Sequence, residues 1–368
     1  MGDVLEFSNT RINSSELNSG NYVSTENILQ NFQGIVKARS IPEDTNVMAF
    51  SCGNILLSNI RPYLKKVWKA TFNGGCSSDV FVLQANSNID ADYLHYVVAN
   101  DKFIGFVMNG AKGVKMPRGD KNQMKTYSLS LPSIKEQRKI SRFLSFLDER
   151  IAVQNRLIDR LQSLIKGIMV KLQQQGLSKG TWKRVPLSSI LKERTELNEG
   201  LLPVYSVSVS QGVVNQMEYL GRSFAAKDTS KYHVAHFGDL IYTKSPTGSF
   251  PYGIVKQNSN RYKVAVSPLY GVYTPANYFT GVFLQEYFKS EVNTFNYLHS
   301  LIQKGAKNTI NITNQRFLDN YILIPTDSND LQQISNLLLR LNAKKDLMQN
   351  MLQQYQEQKQ YLLRQMFI

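Results

Sequence analysis

The stretch LPSIKEQRKISRFLSFLDERI, Leu131 to Ile151, returns later as IPTDSNDLQQISNLLLRLNAK, Ile324 to Lys344. In the first copy the apolar residues Ile140, Leu144, Leu147, Ile151, Ile158, Leu161, Ile165, Ile168 and Leu172 step by 4 and 3 in turn, with Gln154 as the interruption. That is the signature of a helix with a coiled-coil seam. In the second copy Ile334, Leu338, Leu341, Met348, Leu352, Tyr355, Leu362 and Met366 keep the same step, interrupted by Lys345 and Lys359. The offset is 194 residues at both ends, from Ile140 to Ile334 and from Leu172 to Met366.

The echo extends upstream. LNSG at Leu17 returns as LNEG at Leu197, QGIV at Gln33 as QGVV at Gln211, GNILLS at Gly53 as GDLIYT at Gly238, and GAK at Gly110 as GAK at Gly305. The chain therefore divides as domain, helix, domain, helix, with bounds 1–132, 133–175, 176–326 and 327–368. Within the domains, NVMAFSCGNILLSNI, AHFGDLIYTK, SSDVFVLQA and VSPLYGVYT are β-prone runs broken by Gly, Asn and Asp. A helical patch follows in each, Asp92 to Met108 and Phe279 to Leu301. The segment QQQGLSKGTWKR, Gln173 to Arg184, has two glycines and no apolar period, and is expected to break the first long helix. The fold class is α+β: two similar mixed α/β domains separated by two long helices that pair as an antiparallel coiled coil, giving a pseudo-two-fold internal repeat.

A length of 368 residues suits two domains, each with its own core. Lys and Arg outnumber Asp and Glu by 43 to 28, and the formal charge of +15 points to polyanionic partners, nucleic acid first. Cys52 and Cys76 are the only cysteines, which supports neither a disulfide framework nor a CxxC metal site and fits a reducing cytoplasm. No apolar run approaches the ~18 residues of a membrane span, and no leader is evident at the N-terminus.

A helix from Ile140 to Leu172 would be roughly 50 Å long at 1.5 Å per residue. Its apolar stripe needs a partner, and the other copy is the nearest one. Paired antiparallel, the helices would hold two domains apart by more than one turn of duplex DNA, ~34 Å. The competing expectation is that the helices glue a homodimer together.

With two variable domains, each ending in LP or IP and followed by EQRKI or LQQI and a long Leu-rich helix, the sequence resembles the specificity subunits of type I restriction-modification systems. Pro132, Glu136, Gln137 and Ile140 match that motif well; Pro325, Gln333 and Ile334 match it loosely, with Leu331 and Gln332 where the family often has Glu-Gln. The resemblance spans essentially the whole chain. It implies two target-recognition domains reading the halves of a bipartite asymmetric double-stranded DNA site. It also implies two methyltransferase subunits along the helices, S-adenosylmethionine as the cofactor of those subunits and not of this chain, and restriction/translocase subunits joining the complex. The second half opens with TWKRVPLSSIL, the usual first strand of such a domain, whereas the first begins at MGDVLEF, with Gly2 to Leu5 aligned on Ser188 to Leu191. The first domain is expected to lack that leading strand.

Catalytic motifs are absent. A DNA adenine methyltransferase needs an N/D-P-P-Y/F pocket for the flipped base, and no Pro-Pro pair occurs; a P-loop is missing too. His233 and His236 could share a metal by spacing, but without Cys or acidic companions they read as ordinary residues, as do His95 and His299. Glu136 reads as a first-turn dipole complement. No catalysis is expected of this chain.

Residues 1–132 carry 13 basic against 11 acidic side chains, and 176–326 carry 16 against 9. The first domain concentrates its cations in two places, Arg61, Lys65, Lys66 and Lys69 around Tyr63 and Trp68, and the loop NGAKGVKMPRGDKNQ with Lys112, Lys115, Arg118 and Lys121. Loop cations fix a duplex through its phosphates, while Arg, Asn and Gln read base edges. The matching loop of the second domain holds Lys304, Lys307, Asn308, Asn311 and Arg316, and a Gly/Pro-rich hairpin supplies Lys244, Ser245 and Thr247. All of these but Lys69, fifteen side chains, are the DNA-binding candidates; the outward Arg142, Arg150, Arg156 and Arg160 of the first helix make a basic face available to DNA backbone or an acidic partner, which the resemblance reads as a partner surface. A different class of function, a coiled-coil scaffold with two β-rich protein-binding modules, is the alternative reading.

Overall fold

The structure is a computed structural model that describes residues 1–222, 225–304 and 310–367. The chain forms two compact units, Met1–Asn155 with Asn350–Ile368, and Arg156–Gln349.

In unit 1, β1 (Leu5–Phe7), β2 (Arg11–Asn13), β3 (Tyr22–Val23), β4 (Asn46–Phe50), β5 (Ile55–Ser58), β6 (Val67–Lys69), β7 (Gly74–Cys76) and β8 (Val80–Ala85) precede α1 (Ala91–Val98), α2 (Asp101–Asn109), α3 (Lys121–Lys125) and the start of α4 (Ile134–Ser178). The strands make two four-stranded sheets, in the orders β1-β8-β5-β6 and β2-β4-β7-β3. Alternation along β5 and β8 explains the layering. Ile55, Leu57 and Leu83 share a core with Tyr93, Leu94, Val97, Phe103 and Val107 of the helices. Leu56 and Val82, one residue on, face Phe50, Trp68 and Cys76. The first sheet is thus buried on both faces, which is why ILLS reads as an unbroken apolar run.

Unit 2 repeats the arrangement. After the end of α4 come β9 (Trp182–Pro186), β10 (Leu191–Glu193), β11 (Tyr205–Ser208), β12 (Gly212–Asn215), α5 (Gln216–Leu220), β13 (His233–Ala235), β14 (Leu240–Tyr242), β15 (Val255–Gln257), β16 (Val264–Val266) and β17 (Gly271–Pro275). Then follow α6 (Tyr278–Phe288), α7 (Glu291–His299), β18 (Gln303–Lys304), β19 (Ile310–Asn311), α8 (Asn314–Asp319), β20 (Tyr321–Pro325) and α9 (Ser328–Met366). The central sheet runs β10-β17-β14-β15, the same order of equivalents as in unit 1. Leu240, Tyr242 and Tyr273 face Phe283, Leu284 and Phe317, and Ile241 and Val272 face Val264, Val266 and Tyr205. β1 starts at Leu5 opposite Ala85, and β10 at Leu191 opposite Pro275, so the sequence alignment of these two leucines holds in register. Where unit 2 pairs β9 with β20, unit 1 has the ammonium of Met1 donating to the Tyr127 carbonyl at 2.7 Å.

Each helical patch is two helices. Asn100 and Ser290 interrupt them as N-caps, their side-chain oxygens accepting from Lys102 N and Asn293 N. The long helices run 45 and 39 residues. In unit 1, Ile140, Leu144 and Leu147 of α4 share the domain core with Leu362, Leu363 and Met366 of α9. In unit 2 it is Leu161, Ile165, Met169 and Leu172 with Leu331, Ile334, Leu338, Leu341 and Met348. Opposite ends of the two helices pair within each unit, the antiparallel sense. Ile158 is buried, Ile151 and Leu352 are half-buried, and Gln154, the polar interruption, is buried as well.

Two expectations need correction. The helix passes through Gln173–Ser178. Gly176 is a notch, not a breaker, because a Cβ there would lie 2.0 Å from Trp182 Cδ1. The turn comes at Gly180, with φ +67. The seam also drifts: Met169 is buried and Ile168 only half-buried, since Leu161, Ile165 and Met169 step by four against a domain core and not along a strict heptad. No helix among the described residues is long and apolar enough to cross a membrane.

Candidate nucleic-acid interface

In unit 1 two loops meet. Segment 59–66 leaves β5 and makes a single helical turn at Pro62–Leu64, flanked by Arg61 and Lys65, both in the left-handed region with φ 50 and 54. Non-glycine residues held there cost about 1–3 kcal/mol each, and such strain concentrates at functional sites. Arg61 N donates to Pro117 O at 2.8 Å and Gly119 N to Asn59 O at 3.1 Å, which docks the second loop on the first. That second loop is a finger: Lys112 N donates to Arg118 O at 3.0 Å and Arg118 N to Lys112 O at 2.9 Å, closing an antiparallel stem.

The candidate cations of unit 1 do not all point outward. Lys65 pairs with Asp101 at 2.7 Å, Lys112 with Asp120 at 2.9 Å and Arg118 with Asp79 at 2.8 Å. Lys66 Nζ donates to Thr25 O at 2.5 Å, and Lys121 Nζ lies 5.4 Å from the ring centroids of both Phe7 and Phe81. Asp120 holds the Lys112 ammonium above its usual range, and Lys112 with the α3 backbone amides holds Asp120 below its own. Arg61 and Lys115 are exposed and take no side-chain partner among the described residues. Trp68, expected near the first cluster, is instead core, edge-on to Phe50 at 5.9 Å. Only Tyr63 of that aromatic pair faces solvent.

In unit 2 the hairpin from Thr243 to Ile254 carries Lys244 at φ 59, with Gly253 beside it: a Cβ on Gly253 would lie 2.8 Å from Lys244 N. Burial lowers the Lys244 pKa, and Glu193 opposes the shift. Ser245 is exposed and its carbonyl accepts from Thr247 Oγ1 at 3.1 Å. Arg316 sits on α8, capped by Thr313, and its Nε is buried without a partner among the described residues. Lys304 ends β18 and Asn311 ends β19, and the two strands pair antiparallel, Gln303 opposite Asn311 and Lys304 opposite Ile310. Lys307 and Asn308 lie outside the described residues.

His233 Nδ1 lies 2.8 Å from Tyr270 O and His236 Nε2 2.6 Å from Glu196 Oε2, so the two rings serve separate partners. The described residues hold no cluster of three or more His, Cys, Asp or Glu able to take a metal ion. Glu136 N donates to the Ser133 hydroxyl at 3.4 Å, an N-cap bond at the start of α4, and Ser133 Oγ donates to Glu136 Oε2 at 3.3 Å. Its neighbour Gln137 is the fully buried member of the motif. Gln137 Oε1 accepts from Asp90 N at 2.8 Å and Nε2 donates to Pro132 O at 2.9 Å, locking α1 to the start of α4. Sequence reasoning passed over this clamp, for which a Gln directly after the capping Glu is the available signal.

The long helices expose a second apolar stripe. On α4, Phe143, Phe146 and Val153 are exposed in unit 1, and Leu157, Leu164, Val170 and Leu177 in unit 2. Arg142, Arg150, Arg156 and Arg160 are exposed among them, and Arg142 stands 5.7 Å from the Phe146 ring. A helix face mixing Leu, Val, Phe and Arg has the composition of an interface core.

Residues 1–163 match the family model of the type I restriction modification DNA specificity domain. The chain is 29% identical over 126 residues to the EcoDI type I restriction enzyme specificity subunit of Escherichia coli, covering 33% of this chain and 28% of that protein. It is 29% identical over 146 residues to the MjaVIII specificity subunit of Methanocaldococcus jannaschii, covering 37% and 34%. The matched stretches thus span about a third or less of those relatives' own length. The crystal structure of the type I restriction-modification S subunit from M. genitalium shares the fold over 100% of this chain and 94% of that one, with a TM-score of 0.65 at 13% identity. Residues 1–163 are thus similar to the type I restriction modification DNA specificity domain, and the whole chain shares the fold of a type I restriction-modification S subunit.

Proposed function

We propose that this chain reads the two halves of a bipartite, asymmetric site in double-stranded DNA, one half with the loops of each domain, and skips the base pairs between. The carrying observation is the repeated frame with unlike loops: both central sheets have the same strand order, while NGAKGVKMPRGDKNQ in one unit answers to QKGAKNTINITNQR in the other. Equivalent frames present different readers, so the two half-sites differ in sequence. In this reading the second apolar stripe with its arginines seats two methyltransferase subunits, which supply S-adenosylmethionine and methylate one adenine per half-site. Restriction/translocase subunits join the same complex, and this chain carries no catalysis of its own.

Base-resolution methylation mapping tests this. A strain expressing the chain with its cognate methyltransferase should carry N6-methyladenine at a two-part motif, and deleting the chain should abolish it. Exchange of residues 176–326 for those of another specificity subunit should change one half of the motif and leave the other. Methylation that persists without the chain, or a single continuous motif, would overturn the proposal.

A further inference from the structure

The finger of unit 1 holds an aliphatic side chain wholly in solvent. Val114 is 100% exposed; the next large apolar residue among those described, Leu201, is 76% exposed. Neighbouring Met116 is exposed too. This is a built tip. The stem closes at Lys112 and Arg118, and Arg61 and Asn59 dock it on the strained loop. Gly113 turns the chain with φ +93, and a Cβ there would sit 3.2 Å from Met116 O. A loop tip that served only solvation would gain nothing from Val and Met, so these side chains await a partner. The surroundings define it: Lys112, Lys115, Arg61 and Arg118 lie on the finger and the loop beneath it, and two of the four, Arg61 and Lys115, have no charged partner among the described residues.

A polyanion with an isolated apolar spot is duplex DNA seen from the major groove, where the C5-methyl of thymine is the aliphatic group on the base edges. That groove, about 12 Å wide, admits a two-stranded ribbon such as this finger, and the methyl lies in it and not in the minor groove. We propose that Val114 is a specificity-determining residue of the first domain, packing on the methyl of one thymine while Lys115 and Arg61 hold flanking phosphates. The assignment rests on the DNA-reading function proposed above.

The test uses the full chain assembled with its methyltransferase subunits. The probe is a duplex oligonucleotide carrying the motif from methylation mapping, with each thymine replaced in turn by uracil, which lacks only the methyl. One replacement, in one half-site, should weaken wild-type binding about four-fold, the ratio for ~0.8 kcal/mol per buried methylene-sized group. Val114→Ala should bind more weakly and lose sensitivity at that position alone. Lys115→Ala should keep the sensitivity, weaken binding to all sequences and flatten the slope of log affinity against log salt by about 0.9. Sequence-specific binding that is indifferent to every uracil, equally sensitive in Val114→Ala, or directed to a half-site without an A·T pair overturns the assignment and leaves DNA reading intact. Failure of the wild-type complex to prefer the mapped motif over an unrelated duplex overturns both.

Discussion

His95 offers a quantitative handle on unit 1. It lies on α1 with its ring 5.2 Å from that of Tyr96, and its Nδ1 is sealed from water with no hydrogen-bond partner among the described residues. Burial is the main cause that lowers its pKa from 6.5 to about 4; Lys359 on α9 pushes the same way, and Asp148 on α4 opposes it. Those two flanking groups form an ion pair, and Tyr96 Oη donates to Asp148 Oδ2 at 2.8 Å. The folded state therefore keeps the imidazole neutral while the unfolded chain protonates it below 6.5. Between pH 6.5 and 4 the unfolded state binds more protons, so stability is lost as pH falls through this window. At about 1.4 kcal/mol per unit of pKa the loss amounts to roughly 3 kcal/mol. Carboxylates titrate in the same range, so the informative quantity is the difference from His95→Phe, which keeps a flat ring and removes the titration. Native-state hydrogen exchange of the α1 amides, corrected for intrinsic rates, isolates this region from unfolding elsewhere. Wild-type protection should fall relative to the variant by ~2–3 kcal/mol from pH 6.5 to 4. Parallel curves would refute the argument that the half-buried ring, with its sealed Nδ1, governs this site.

Two glycines of α4 should respond with opposite signs. At Gly167 an added Cβ meets nothing within 4 Å, so Gly167→Ala should gain up to ~1 kcal/mol of helix stability and raise Tm. At Gly176 the same substitution drives a methyl into buried Trp182 and should cost ~1–3 kcal/mol, lowering Tm in a thermal melt; a rise at both would sink the notch explanation. Lys256 is buried, and burial first, with Lys289 second, pulls its pKa down to about 8 although its Nζ donates to Val209 O at 2.7 Å. A depressed lysine destabilises the fold while charged, so unit 2 should gain up to ~3 kcal/mol as pH rises from 8 towards 10.5. Urea midpoints compared with Lys256→Met should reveal that gain; a constant difference between the two proteins would count against it.

What the sequence disclosed was local, and what it hid was contact across the chain. GNILLS and GDLIYT became β5 and β14 in equivalent sheets, and the glycine before each adopts nearly the same turn, φ +90 at Gly53 and +88 at Gly238. Such turns and alternations are written in a few neighbouring residues. The offset of 194 in the helices survives because a seam tolerates no insertion. Pairing of charge was invisible: Arg118 is neutralised by Asp79 and Lys112 by Asp120, so a surplus counted along the loop overstates what it offers a phosphate. Gly176 was misjudged for the same reason, since whether a glycine breaks a helix depends on partners brought in by folding.

Under the DNA-reading function proposed above, the same division lets the loops change their target without loss of the fold. The sheet of each unit is buried on both faces, and Leu56 or Ile241 replaced by a polar residue would leave an unpaired group in a dry core. The loops hang from that frame by backbone hydrogen bonds, Arg61 N to Pro117 O, Gly119 N to Asn59 O, Thr243 N to Ile254 O, which any side chain can leave in place. Substitutions at Arg61, Val114, Lys115 or Ser245 therefore alter what is presented at the tips while the bonds that aim them persist. Left-handed backbone is found at Asn31, Phe32, Asp44 and Leu201 as well as in the same loops, at Arg61, Lys65 and Lys244. The energy that holds them in the left-handed region comes from the rigid sheet beneath, so recognition can diverge on a frame that cannot.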